Sequence, residues 1–387
     1  MRNVVLLGLQ DSTNLGDTLV FACTERIIAQ ILKKHGRRDI GSVSVDMYGE
    51  ECYGALDALA AKKDEMPADE MRQARKEKVV SCAAERARAF ITQNTAAVIF
   101  FGGGIVKPGH SLKLGYCMEP YLRRADELGV PVMISAAGVD GYDAEDDECR
   151  VFAEILNLPC VKTVTVRDDI ELLQRAYVTS PEIRVKKVPC PTMLSKELFP
   201  MPPRRETGVI GLGVIKPKKM TELHPDFTEN RQIALWTEII SEVEKRGYRW
   251  RLFTNGLASD FRFIPEILTA AGRTVSNDTV LPNPRNVHRL LQYCSAFDGI
   301  VASRFHAAVP AYSFGVPFVE LVWNIKQTHF AKDMHLEDSF FDPETASPAQ
   351  IVGKLFENMK DPRPECPVDP QDTVDELERF LTDYCLK

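Results

Sequence analysis

At 387 residues the chain is longer than one hydrophobic core usually serves, so two domains are expected. An apolar share of 44% and a charged share of 27% are ordinary for a globular protein. A net charge of −7 argues against a general nucleic-acid binder, and no run approaches the ~18 apolar residues of a membrane span.

The opening MRNVVLLGLQDS has too short an apolar run for a signal peptide and meets Asp11 at once. Val4 to Leu9 reads as a buried strand, QDSTNLGD as a loop, and the chain from Thr18 to Gly36 as a helix with basic residues in its last turn. Asn14, Gly16 and Asp17 fall where that helix begins; they line a ligand cleft, or they are a turn glycine with Asp17 as N-cap. The dinucleotide fingerprint GxGxxG is absent. Ser42 to Val45 is a second strand, and residues 51–95 run helical with mixed charge, the mark of a solvated face.

Ala97 to Phe101 is a strand that runs into Gly102, Gly103 and Gly104, which permit close approach of a ligand to backbone N–H groups or simply make a tight turn. A helix reaches Leu128, and a strand and glycine loop follow over 130–141. Asp146 to Leu156 is helical, and Val161 to Val166 is a strand that delivers Arg167 and Asp168 at its carboxyl end. Arg167 there offers a planar fork of donors to a carboxylate or phosphate, unless it serves only a local salt bridge. A helix from Ile170 to Tyr177 and a strand from Ile183 to Val188 complete this half.

Residues 189–206 hold five prolines and no periodic pattern and are read as the interdomain linker. The expected domains are 1–203 and 204–387, each Rossmann-like. In the second, Val209 to Ile215 and Trp250 to Phe253 are strands, the latter ending at Asn255, a cleft-lining candidate. Helices are expected over Arg231–Lys245, Phe261–Ala271 and Asn286–Cys294. A strand from Ile300 ends at Ser303 and is followed by Arg304, Phe305 and His306 at the start of a short helix. Val316 to Val322 is the next strand, with Asn324 and Lys326 beyond it. Ser347 to Met359 is helical, 362–371 is extended, and the proline-rich run gives a last helix, over about 370–387, the reach to pack back on the first domain.

Ten cysteines stand no closer than Cys149 and Cys160, without CxxC or a Cys/His cluster, so no metal site is expected. They read as reduced thiols, which points to the cytoplasm, with peripheral contact at the inner membrane face as a variant. The fold class is α/β, two doubly wound domains facing a cleft, with ligands at the carboxyl ends of the strands. Arg167, Arg304, His306 and Lys326 would bring several cationic side chains to that cleft in an acidic protein, which indicates an anionic ligand. A P-loop, a GxSxG nucleophile and a glycosidase-like carboxylate pair are all missing.

NLGDTLVF, FFGGG, TVTVRDDI, SRFHA with GVPFVEL, and NIK followed by Phe330 occur in an order that resembles the polysaccharide pyruvyl transferase family over roughly residues 10–335. The resemblance implies a GT-B-like fold, phosphoenolpyruvate as co-substrate, no cofactor and no metal. The acceptor would be a sugar hydroxyl pair on a glycan or on a lipid-linked or nucleotide-linked precursor, which leaves as a pyruvate ketal in exopolysaccharide biosynthesis. Carried over by position, Arg167, Arg304 and His306 surround the donor together with Phe305, and Arg304 and His306 do the chemistry, unless His306 only bonds a backbone carbonyl at the helix start. Lys326 contacts the donor or a phosphate on the acceptor, or is a solvated lysine at a helix start. The chain departs from the family at Phe305, where leucine is commoner, and at Cys190, where many members carry aspartate. Two other functions remain open: a GT-B-type glycosyltransferase using a nucleotide sugar, and a non-catalytic relative that binds an anion.

Overall fold

The computed structural model describes residues 2–62, 65–361 and 366–386. The extended segment expected over 362–371 lies outside the described residues at 362–365, and the charged helical stretch over 51–95 does so at 63–64. Contacts divide the chain into two units, one of Met1–Ser12, Val20–Pro191 and Pro370–Lys387, the other of Thr13–Leu19 and Thr192–Asp369. Each contains one parallel sheet, as alternating apolar runs and amphipathic helices require.

The first sheet has strands β1 (Arg2–Gly8), β2 (Ile40–Asp46), β3 (Thr95–Phe101), β4 (Val132–Ala137), β5 (Val161–Val166) and β6 (Arg184–Lys187), in the order β2-β1-β3-β4-β5-β6. Every residue of β3 is buried, so both faces are covered. Phe100 meets Tyr121 of the helix Leu114–Glu127 with ring centroids 6.2 Å apart, and Phe101 meets Phe21 of the helix Leu15–Lys34 at 4.8 Å. Successive side chains of one strand point to opposite faces, so these helices sit on opposite sides. The final helix, Gln371–Tyr384, packs on β3 and β4 through an apolar face that includes Leu377, Phe380 and Leu381. Arg184 of β6 clamps its buried Glu376 with bonds of 2.7 and 2.8 Å.

The second sheet has β7 (Val209–Gly213), β8 (Arg249–Phe253), β9 (Gly299–Ala302), β10 (Phe318–Leu321) and β11 (Phe340–Phe341), in the order β11-β10-β9-β7-β8. Alternation along β9 again sorts the faces. Val301 joins a cluster with Trp236, Ile239, Ile351 and Leu355, whereas Ile300 and Ala302 join one with Leu290, Cys294, Phe305 and Val309. Leu15 and Met193 belong to the second of these clusters, which is why their segments group with this unit.

Several elements differ from the sequence reading. The division falls after Pro191 and not at 203/204, and the stretch 189–206 contains a 3₁₀ turn, Pro191–Leu194, and a helical turn, Ser195–Leu198. The first helix begins at Leu15, ahead of Thr18. The stretch from Ile170 is one α-turn, Ile170–Leu172, continued by a π-turn, Leu173–Tyr177. The helix expected over 261–271 is broken into Ala258–Phe261 and Ile264–Ala270, with Pro265 starting the second piece. All ten cysteines are free thiols, Cys366 half-buried and the others buried. Among the described residues no helix is long and apolar enough to cross a membrane.

Candidate functional site

In the second sheet β7 pairs with β8 on one side and with β9 on the other, so the strand order reverses between β7 and β9. Ligands of open α/β sheets bind outside the carboxyl ends at such a reversal. The loop after β9 crosses that point: the Ser303 N–H donates to Gly213 O at 2.9 Å, and Arg304 and His306 follow. Arg304 precedes the helix Phe305–Ser313, and His306 holds non-helical backbone angles within its first turn.

Arg304 is 7% exposed and its fork is held from behind by Asp260, which is fully buried. Nε donates to Oδ2 at 2.8 Å and Nη2 to Oδ1 at 2.9 Å, a bidentate pair. Asp260 also accepts the Lys216 N–H from the loop after β7 at 3.1 Å. Among the described residues Arg304 Nη1 has no hydrogen-bond partner, so one corner of a fixed cation is left for a ligand. Trp323, after β10, covers this guanidinium with its ring 5.6 Å from Cζ and donates its indole N–H to Ser303 O. The same ring lies 5.7 Å from Lys326 Nζ, which is also 5.9 Å from the Phe305 ring. Trp323 thus has two cations within reach of its ring, an arrangement its π-face favours.

His306 is buried, and the segment that faces it is the start of the first helix. A Cβ on Gly16 would stand 2.5 Å from His306 Nδ1, so only glycine fits against the imidazole there. Asn14 shapes this turn, accepting from Gly16 N at 3.3 Å and donating to Asp17 Oδ2 at 2.9 Å. The segment is anchored by Leu15 N–H donating to Asn255 O at 3.0 Å. Gly256 beside it has φ +98°, and a Cβ there would lie 2.9 Å from Thr13 O. Asn14, Gly16, Asp17 and Asn255 are therefore brought to the Arg304–His306 edge. Two side-chain oxygens here, Asn255 Oδ1 and Ser303 Oγ, are buried without a hydrogen-bond partner, a cost that native proteins accept chiefly where a ligand or water completes the set.

Two candidates have local work. Asn324 caps the helix Ile325–Asp333 through a capping box with Gln327, and Phe305 packs on Phe330 with centroids 5.2 Å apart. Gln327 binds the Trp323 and Asn324 N–H groups at 2.8 and 2.9 Å and donates to Glu320 Oε1 at 2.6 Å. Burial pushes the Glu320 carboxyl up to about 8, so it is a neutral acid at neutral pH.

At the carboxyl edge of the first sheet, the reversal lies between β1 and β3, where the triglycine follows β3. Gly138 is the keystone of this edge. Its N–H donates to Gly103 O at 2.9 Å, and a Cβ would meet Gly103 O at 2.9 Å, Asp168 Oδ2 at 3.0 Å and Gly104 Cα at 3.1 Å. Gly102 leaves no room either, its Cβ falling 2.8 Å from Ile105, whereas Gly104 is open. A bulge at Ala136, with φ 47°, brings the chain to this point at a strain of about 1 kcal/mol. Arg167 is 8% exposed and donates from Nη1 to the Cys190 sulfur at 3.2 Å. Asp168 accepts from the Val139 and Asp169 N–H groups, both at 2.9 Å, and is a loop organiser.

Sequence reasoning missed Asp260, Trp323, Gly138 and the Glu320–Gln327 pair. No local signal marks Asp260, because its partner stands 44 positions away.

Two Rossmann-like domains of parallel sheet, with a fixed arginine and a histidine at a strand-order reversal, define an α/β protein of GT-B-like fold. The family model of polysaccharide pyruvyl transferases matches residues 14–324, most of the chain, and the chain belongs to that family. No curated protein matches it in sequence. Solved structures do match in fold. UDP-GlcNAc 2-epimerase from Neisseria meningitidis, bound to UDP-GlcNAc, is similar over 99% of this chain and 100% of that one, with TM-score 0.59 and 12% identity. The UDP-GlcNAc 2-epimerase of Methanocaldococcus jannaschii covers 99% and 100% with TM-score 0.60 and 10% identity. The S. aureus MnaA–UDP co-structure covers 100% of this chain and 98% of that one with TM-score 0.59 and 10% identity.

Proposed function

We propose that this protein transfers pyruvate from phosphoenolpyruvate to a hydroxyl pair of a sugar, forming a ketal on a glycan or its lipid-linked or nucleotide-linked precursor. The observation that carries the reading is the buried Arg304, fixed by Asp260 with Nη1 left over, beside His306 at the sheet reversal. A guanidinium with a free corner suits a carboxylate or phosphate oxygen, and both are present on the donor. Lys326 adds a second cation behind Phe305 and Trp323. The family resemblance also assigns Arg167 to the donor.

The chemistry needs one group that gives a proton twice and takes one twice. A proton delivered to the methylene carbon of the enol makes a methyl group and an oxocarbenium-like centre at the adjacent carbon. One sugar hydroxyl attacks that centre and loses its proton. The C–O bond to phosphate breaks, phosphate leaves with its electron pair and the proton taken from the first hydroxyl, and the second hydroxyl closes the ketal, its proton returning to the acid and base. Imidazole is the side chain suited to giving and taking a proton near neutrality. His306 would be that acid and base. Arg304 would bind the donor's negative charge and stabilise it as it moves to the departing phosphate.

The fold is shared with enzymes whose structures contain UDP or UDP-GlcNAc, which keeps a nucleotide-sugar transferase as the second reading. Thermal unfolding separates the two. Phosphoenolpyruvate is expected to raise the midpoint of the wild type and not that of Arg304→Ala, while UDP leaves both unmoved. Stabilisation by UDP and none by phosphoenolpyruvate supports the nucleotide-sugar reading instead.

A further inference from the structure

His224, Asp342 and Glu344 converge, their ligand atoms all within 4.8 Å of one another. His224 is 8% exposed and lies between the helical turn Pro217–Met220 and the helix Glu229–Lys245; the two acids follow β11. Its Nε2 is 2.8 Å from Val322 O, and a carbonyl can only accept, so Nε2 carries a hydrogen. Its Nδ1 faces Glu344 Oε2 at 3.4 Å and Asp342 Oδ1 at 3.6 Å.

A neutral imidazole with its hydrogen on Nε2 turns a lone pair toward two carboxylate oxygens. Three acceptors pointing at one another repel, so a cation must stand between them, either a proton on Nδ1 or a metal ion. The distances decide. A charge-assisted N–H···O bond closes to about 2.7–2.9 Å, shorter than either separation. Tetrahedral bonds of about 2.0–2.2 Å set ligand–ligand edges of about 3.3–3.6 Å; the two edges that meet at Nδ1 fall in that range, and the third, between the two acids, is no more than 4.8 Å. The backbone carbonyl on the far ring nitrogen is the usual orienting partner of a metal-bound histidine. Arg231 donates to Glu344 Oε1 at 3.3 Å, leaving Oε2 for the ion, and Glu344 N–H donates to Asp342 Oδ1 at 2.8 Å.

We propose that His224, Asp342 and Glu344 bind a first-row divalent cation, Zn²⁺ in the first instance, as a structural site separate from the donor chemistry. One imidazole and two carboxylates make a borderline donor set suited to zinc and its neighbours. The ion would tie the residue-224 loop and the turn after β11 to the Val322 carbonyl. Trp323, the next residue, covers Arg304. Sequence spacing could not reveal the site, because His224 and Glu344 are 120 positions apart.

The full-length protein, stripped with EDTA and dialysed, is titrated with Zn²⁺ alone by calorimetry and followed by thermal unfolding. One ion per chain and a raised midpoint that EDTA reverses are expected. Co²⁺ should give a visible spectrum without a thiolate charge-transfer band, since no cysteine belongs to the cluster. Asp342→Asn, at a side chain 50% exposed and so safe for folding, should weaken zinc by about tenfold or more. His224→Ala should abolish uptake at this site. Equal uptake by the wild type and both variants, a thiolate band, or no zinc bound by the wild type would each overturn the assignment.

Discussion

Replacing Asp260 with asparagine removes one negative charge and almost no volume from behind Arg304. The carboxylate is fully buried and receives bonds of 2.8 and 2.9 Å from the guanidinium and 3.1 Å from Lys216 N–H. Asparagine can accept on one oxygen only, and its amide group then faces a second donor. Removing one partner of a buried pair costs about 3–5 kcal/mol. At roughly 2–4 °C per kcal/mol for a domain of this size class, the midpoint should fall by at least about 6 °C. Stability alone does not show that Asp260 positions Arg304 for the donor, so binding is measured well below the variant's midpoint. There a guanidinium no longer held should bind phosphoenolpyruvate more weakly and lower kcat/KM by about 100-fold, the usual consequence of a misplaced group by an ångström. Isothermal titration and initial rates provide the two numbers. A folded Asp260→Asn variant with wild-type affinity and turnover would refute the positioning role, whatever its midpoint.

Gly16→Ala should lower kcat/KM at least tenfold, because the added methyl meets His306 Nδ1 at 2.5 Å and must displace the ring. Alanine otherwise favours a helix start by up to about 1 kcal/mol, so a stabilised and fully active variant contradicts the contact. Glu320→Gln should flatten the pH dependence of stability. The folded carboxyl is raised from its ordinary 4.5 to about 8, so this group's contribution to stability is fully present below about 4.5 and is lost as pH rises toward 8. Urea unfolding at pH 5.5 and 8 should show that loss in the wild type and not in the variant. Glu376→Gln should loosen the last helix by breaking its clamp to Arg184, read as faster amide exchange over 371–384 with β7 to β10 unchanged.

Much of the fold was legible because parallel strands are buried on both faces and so read as unbroken apolar runs. Ala97–Phe101 and the strand before Arg304 are examples. The carboxyl-edge residues were legible for the same reason, since polarity begins where the strand ends. The rest depended on distant partners. Nothing near Asp260 in ASDF marks it as the base of Arg304, and β11 is two residues of an otherwise irregular segment. Prolines in 189–206 hid two short helical turns, because proline is compatible with a first turn. The turn Thr13–Leu19 groups with the second unit because Leu15 enters its core, a contact that no local pattern shows. Asn324, a cleft-lining candidate, is also a helix cap, a role its spacing to Gln327 already allowed.

The most direct measurement is phosphate release from phosphoenolpyruvate over a panel of glycans and nucleotide-linked sugars, by the wild type and by His306→Gln. Acceptor-dependent release by the wild type, with a ketal in the product and at least a hundredfold loss in the variant, is the expected result. Full turnover by His306→Gln, or no release with any acceptor while UDP-sugars are consumed, would contradict it.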